Sequence, residues 1–124
     1  MTDNRSSNDL AYLGDAVVEL LVRRKLVTEK HRSESLFDEA VKYVSAAAQS
    51  DALSRIEGVL TEEETDVFKR ARNNYHTSNV PKSATALQYR RSTGFEAVFG
   101  YLYLKGDTER IEELFNKAYG QDNK

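Results

Sequence analysis

The chain has 124 residues, 40% of them hydrophobic and 31% charged, with a net charge of −2; this suits one domain around one core and excludes a disordered chain. It contains no cysteine, so disulfides, thiolate metal sites and cysteine nucleophiles are excluded. No apolar run approaches the ~18 to 20 residues that span a bilayer, and the opening "MTDNRSSND" is polar, so a cytoplasmic protein without a membrane anchor is expected.

Apolar spacing is helical throughout, and the hairpin dipeptides Asn-Gly and Asp-Gly do not occur, which predicts an all-α domain. A first helix is expected from Asn8 or Asp9 to Lys25, because either residue can cap it and Arg23, Arg24 and Lys25 suit its C-terminal dipole. A second covers "SESLFDEAVKYVS" and a third "AAAQSDALSRIE", stopped by Gly58; the pattern allows them to be separate or continuous. The fourth opens at Thr61 with Glu64 three residues later, the spacing of a capping box. "NYHTSNVPKSAT" reads as a loop around Pro81, the only proline. A fifth helix spans about Ala84 to Leu104, with a break expected between Ser92 and Gly94, and stops at Gly106. The last starts at Asp107 and aligns Ile111, Leu114, Phe115, Ala118 and Tyr119 on one face.

Two of these helices are apolar on nearly every side, yet each carries a carboxylate. Asp15 and Glu19 are the only charges from Leu10 to Val22, and Glu96 is the only one from Thr93 to Leu104. A charge in a buried segment costs roughly several kcal/mol unless it is compensated. Glycine stands beside both acids, at Gly14, Gly94 and Gly100, which allows two backbones to approach closely. A crossing of the two helices at these glycines would bring Asp15 and Glu96 together. No basic residue lies on either run to neutralise the pair, whereas a hard divalent cation would. The alternative is that each acid caps another helix or meets an arginine from elsewhere. Glu19 has an ion-pair partner in Arg23 at i+4, and its own i+4 relation to Asp15 allows it to support that residue.

From Lys69 to Arg91 there are six basic residues and no acid, next to the acidic "EGVLTEEETD". Such a strip is either a phosphate footprint or a solvated loop that balances its neighbour. "EEETD" itself reads as a solvated helix start, and His31 as a surface residue; His31 and His76 form no spaced motif. The excess of aromatics at Phe95, Phe99, Tyr101 and Tyr103 suggests a subunit contact.

"LAYLGDAVVEL" resembles the signature helix of ribonuclease III domains, and "STGFEAVFGYLYL" resembles their second acidic helix. With "YVSAAAQ", "FKRARN", "VPKSATALQYRRSTGFEA" and "GYLYLKGDTERIEEL" in the same order, the resemblance runs from about Leu10 to Tyr119 within a single domain over residues 1–124. It is closest to the Mini-ribonuclease III branch, the catalytic domain without a double-stranded-RNA-binding domain. The resemblance implies an all-α homodimer with the ribonuclease III helical fold, an endoribonuclease that uses Mg²⁺ to cut double-stranded RNA and leaves 5′-phosphates. In this branch the substrate implied is the precursor of large-subunit (23S) ribosomal RNA, which makes the role ribosome biogenesis. Asp15 and Glu96 match the catalytic, metal-binding acids.

Two positions depart from the larger enzymes: Ala11 stands where they have a glutamate, and Thr93 where they have an aspartate. Both departures resemble the Mini branch, and Thr93 joins Glu19 as a neighbour of the ligands. Arg72, Lys82, Arg90 and Arg91 are the candidates for RNA-backbone contacts, with Asn73 and Lys69 beside them. Loss of the two acids leaves an alternative, a ribonuclease III fold kept as an inactive RNA-binding or ribosome-assembly module. A helical protein-interaction domain with structural acids is a third reading.

Overall fold

A computed structural model describes residues 6–29, 36–74 and 84–120, and among them there are helices and no strand. The order is α1 Ser7–Thr28, α2 Leu36–Val44, α3 Ala46–Ile56, a 3₁₀ turn Glu57–Val59, α4 Glu62–Asn73, α5 Ala86–Lys105 and α6 Thr108–Tyr119. The all-α expectation holds.

Local chemistry sets most of the boundaries. The Ser6 hydroxyl accepts from the Asp9 amide and starts α1 before either expected cap. Ser45 is extended (ψ 158°) and its hydroxyl accepts from the Ala48 amide, so α2 and α3 are separate helices. Thr61 and Glu64 form the expected capping box, and Thr85 with Gln88 forms a second one that begins α5. At the far end of α5, Gly106 takes φ +77°, a conformation that favours glycine, and Asp107 caps α6.

The expected break in α5 is absent. Ser92, Thr93 and Gly94 are weak helix formers, but all three sit inside the continuous helix. Packing overrides propensity here: Gly94 lies flat against the Phe68 ring, and a Cβ there would collide with that ring.

α5 is the central element, packed most extensively on α1 and then on α4 and α3. Phe95, Val98, Phe99 and Leu102 from α5 meet Val18, Val22 and Leu26 from α1 and Leu53 and Ile56 from α3, all fully buried. The five apolar positions expected on α6 are all buried. Tyr119 anchors that helix through ring contacts to Phe95 and Phe115 and a 2.8 Å hydrogen bond from its hydroxyl to the Tyr43 carbonyl.

The helix start "EEETD" is only partly the solvated segment its composition suggests. Glu62 and Glu63 are exposed, but Glu64 is 3% exposed and pairs with Arg110. Tyr103 faces solvent while Phe95 and Phe99 are core. No helix among the described residues is long and apolar enough to cross a membrane.

Candidate active site

The site is built on the crossing of α1 and α5. Both Gly14 and Gly100 are buried at the contact. A methyl group on Gly14 would overlap the Glu96 carbonyl and stand 2.9 Å from the Gly100 nitrogen, and one on Gly100 would overlap the Leu10 carbonyl. Only glycine allows the backbones this close, and the close approach sets Asp15 beside Glu96, as expected from Gly14 and Gly100; Gly94, expected at the same crossing, instead packs on Phe68 of α4.

Next to the crossing is an open cavity of about 490 Å³. α1 lines it with Asn8, Ala11, Tyr12 and Asp15, and α5 with Tyr89, Ser92, Thr93 and Glu96, successive turns of each helix. Ala11 and Thr93, the two positions that depart from the larger ribonuclease III pattern, therefore face the same space as the two acids. Thr93 commits its hydroxyl to the Tyr89 carbonyl at 3.0 Å.

The two carboxylates differ in setting. Asp15 is exposed at the rim, which corrects the expectation that both acids lie in buried segments: α1 is apolar on its outward side as well, where Leu20 and Val27 face solvent. Glu96 is half-buried. Burial pushes its carboxyl well above the usual carboxylate range, the Asp15 carboxylate beside it pushes further in the same direction, and Glu19 adds to this, opposed by the Gln49 amide. Glu19 itself pairs with Arg23 at 3.3 Å, as its spacing predicts.

No lysine or arginine lines the cavity among the described residues. Neither do the described residues hold a cluster of three or more His, Cys, Asp or Glu able to bind a metal. Two facing carboxylates with no positive partner among the described residues and an open cavity suit a hard divalent cation that keeps several waters and takes its remaining ligands from a substrate.

Gln49 and Ser92 belong to the site, although apolar periodicity and charge gave no reason to single them out. The Ser92 hydroxyl donates to the Gln49 Oε1, and the Gln49 Nε2 is buried without a hydrogen bond. The available signal was a lone amide inside the apolar opening of a helix, in "YVSAAAQ".

The basic strip divides. Lys69, Arg72 and Asn73 lie on the last two turns of α4; Lys69 and Asn73 are exposed, and Arg72 rests over the Phe68 ring and donates to Asn73. Arg90, half-buried, follows the cavity residue Tyr89 on α5. Arg91 turns the other way: it donates to the Ser50 hydroxyl at 2.8 Å, the Ser50 carbonyl at 3.1 Å and the Ser54 hydroxyl at 2.7 Å, and pairs with Glu57 at 3.3 Å. Its donors are engaged in fastening α5 to α3. Lys82, His31, His76 and Pro81 lie outside the described residues.

The ribonuclease III domain model matches residues 8–107 of the chain. The Mini-ribonuclease 3 of Streptococcus pneumoniae is 48% identical over 109 residues, covering 85% of this chain and 84% of its own. That of Symbiobacterium thermophilum is 46% identical over 110 residues, covering 88% and 84%. The counterpart from Thermoanaerobacter is 44% identical over 106 residues, covering 85% and 74%. A crystal structure of a protein from Fusobacterium nucleatum superposes with a TM-score of 0.82 at 32% identity, over 91% of this chain and 90% of that one.

Proposed function

Since the chain belongs to the ribonuclease III family and is an endoribonuclease, we propose that Asp15 and Glu96 hold Mg²⁺ and that the protein hydrolyses double-stranded RNA at this crossing. The observation that carries this is the pair of facing carboxylates, without a counter-charge among the described residues, on an open cavity. A bound Mg²⁺ would lower the pKa of a water and neutralise charge on the scissile phosphate. Glu96, the more buried acid, fixes the inner side of the site, and Asp15 at the rim faces the arriving RNA. Phosphate oxygens of the RNA would supply ligands that Ala11 and Thr93 do not.

Arg72, Asn73 and Lys69 at the end of α4, Arg90 on α5, and Lys82, which lies outside the described residues, are the residues we assign to backbone phosphates. Arg91 contributes by holding α5 in place. Recognition of an A-form duplex is mainly by shape and 2′-hydroxyls, and affinity falls steeply with salt. The natural substrate we propose is the precursor of large-subunit ribosomal RNA, cut in the cytoplasm to give 5′-phosphate and 3′-hydroxyl ends.

The working unit is a homodimer. Leu20 and Val27 on α1 and Phe37 and Val41 on α2 are exposed, and Leu26, Leu36, Phe37 and Ala40 line an apolar groove of about 220 Å³; a second copy would cover this surface. Sedimentation at micromolar concentration should give twice the chain mass, and a monomer there would defeat this part.

The test of the activity is cleavage of a long double-stranded RNA with Mg²⁺ by wild type, Asp15→Asn and Glu96→Gln. Wild type should cut, and both variants should bind RNA and fail to cut. A wild type that binds and never cuts, even on precursor ribosomal RNA, would instead support an RNA-binding module.

A further inference from the structure

The N-terminal part of α3 meets α5 through two adjacent residues. Ser50 holds Arg91, and Gln49 receives the Ser92 hydroxyl on its Oε1. Gln49 is 1% exposed. Ser92 and Glu96 are one turn apart on the cavity side of α5, so an amide seated on Ser92 extends along that helix toward Glu96.

The orientation of this amide is constrained at both ends. Its oxygen accepts from Ser92, which leaves the NH₂ group on the Glu96 side. Once Glu96 is ionised, the form able to hold a cation, the reverse orientation would set an amide oxygen against a carboxylate oxygen, two acceptors facing each other. The NH₂ group is buried and forms no hydrogen bond, and the Gln49 amide favours the charged form of Glu96. Native cores seldom leave a buried donor in this state, because it loses its hydration and gains nothing in return. Packing alone does not call for glutamine here, since Ala52 and Leu53 nearby on α3 are buried and apolar, and methionine has nearly the same volume and shape.

We propose that Gln49 is the positioning residue of the site: its amide nitrogen holds the Glu96 carboxylate in one orientation, toward Asp15, so that a single divalent cation meets both acids. Gln49 touches neither metal nor RNA. Ser92 acts through Gln49 by fixing which end of the amide faces Glu96. The inference rests on the reading of Asp15 and Glu96 as the metal-holding pair, and it assigns the segment "YVSAAAQ" a role in that site.

Two readouts test it. The first needs no metal and no RNA. In an NMR spectrum of the metal-free protein, the Gln49 side-chain NH₂ pair, assigned by its loss in Gln49→Met, should exchange slowly with solvent and shift clearly in Glu96→Ala. A pair of signals that ignores Glu96→Ala overturns the proposal. The second is the Mg²⁺ concentration for half-maximal cleavage. Gln49→Met should raise it about tenfold, the scale for losing a group that orients a metal ligand, while the rate at saturating Mg²⁺ falls less than about threefold. Ser92→Ala should move the midpoint the same way by less, and it decides the question if Gln49→Met fails to fold. A folded variant with the wild-type midpoint overturns the proposal. A wild type that cleaves without any divalent cation defeats the metal reading instead, and the NH₂ signals still judge the Gln49 contact.

Discussion

Glu64 and Glu96 are both glutamates drawn into helix contacts, and their surroundings are opposite. The two oxygens of Glu64 accept from the Arg110 Nε and a terminal guanidinium nitrogen, each at 2.8 Å, and one also accepts from the Thr61 amide at 2.9 Å. Burial would raise its pKa, but the Arg110 and Thr61 hydrogen bonds outweigh it and hold the carboxyl below the usual range. Glu96 meets another carboxylate and a buried amide, and it is pushed the other way. An acid whose partner is supplied by its own chain is finished as a structural element. An acid placed against another acid is incomplete until something positive arrives, and that incompleteness is where chemistry can happen.

The comparison breaks if the two glutamates exchange phenotypes. Glu96→Gln should lower cleavage at saturating Mg²⁺ by at least about a thousandfold, equivalent to roughly 4 kcal/mol of transition-state stabilisation, without lowering the thermal midpoint. Glu64→Ala should do the reverse. It strands Arg110 and removes a cap, so urea denaturation should record a loss of about 3 kcal/mol, the low end for breaking a buried pair. Its Mg²⁺ midpoint should match wild type as long as the protein is folded.

The pH dependence sharpens the same contrast. The Glu64 carboxyl is depressed in the folded state, so the stability it contributes is present above the ordinary glutamate pKa and is lost as pH falls through its lowered value. The Glu96 carboxyl is raised, so the folded protein keeps a proton that the unfolded chain releases. Its contribution is complete below the ordinary glutamate pKa and is lost as pH rises through the raised one. In metal-free buffer at pH 8, Glu96→Gln should therefore be more stable than wild type, by on the order of 1 kcal/mol, as when a functional site is relieved of strain. At pH 4 the gain should disappear. Thermal melts at the two pH values check this, and equal gains at both would contradict the assignment.

Much of this arrangement is legible in the sequence. The caps at Thr61 and Asp107, the stop at Gly106 and the α6 face are short-range patterns that need only a few neighbouring residues. The crossing at Gly14 and Gly100 is legible because glycine inside an apolar helix is costly and therefore marks close approach. What escapes is the long-range pairing. A capping box shows that Glu64 bonds Thr61, but not that Arg110, 46 residues later, closes the pair. Apolar residues around α1 do not reveal that one of its sides stays open, which is why Asp15 reads as buried and is exposed. The weak helix formers Ser92 and Gly94 read as a break because their compensation, Gln49 and Phe68, comes from other helices.

The same distinction between completed and open charges separates two arginines of the basic strip, where the expected effect is smallest. Charge counting treats Arg72 and Arg91 alike. In the structure Arg91 has four polar contacts on α3 and its 3₁₀ extension, whereas the Arg72 guanidinium hydrogen-bonds the adjacent Asn73 and stacks over Phe68. Arg72→Ala should weaken binding of double-stranded RNA a few-fold and reduce the slope of log affinity against log salt by about 0.9, the signature of one lost phosphate contact. Arg91→Ala should lower the thermal midpoint and leave that slope unchanged, because its charge is spent inside the fold. Binding titrations over a range of salt distinguish the two, and a slope that drops for Arg91→Ala in a protein that is still folded would return Arg91 to the RNA-binding surface.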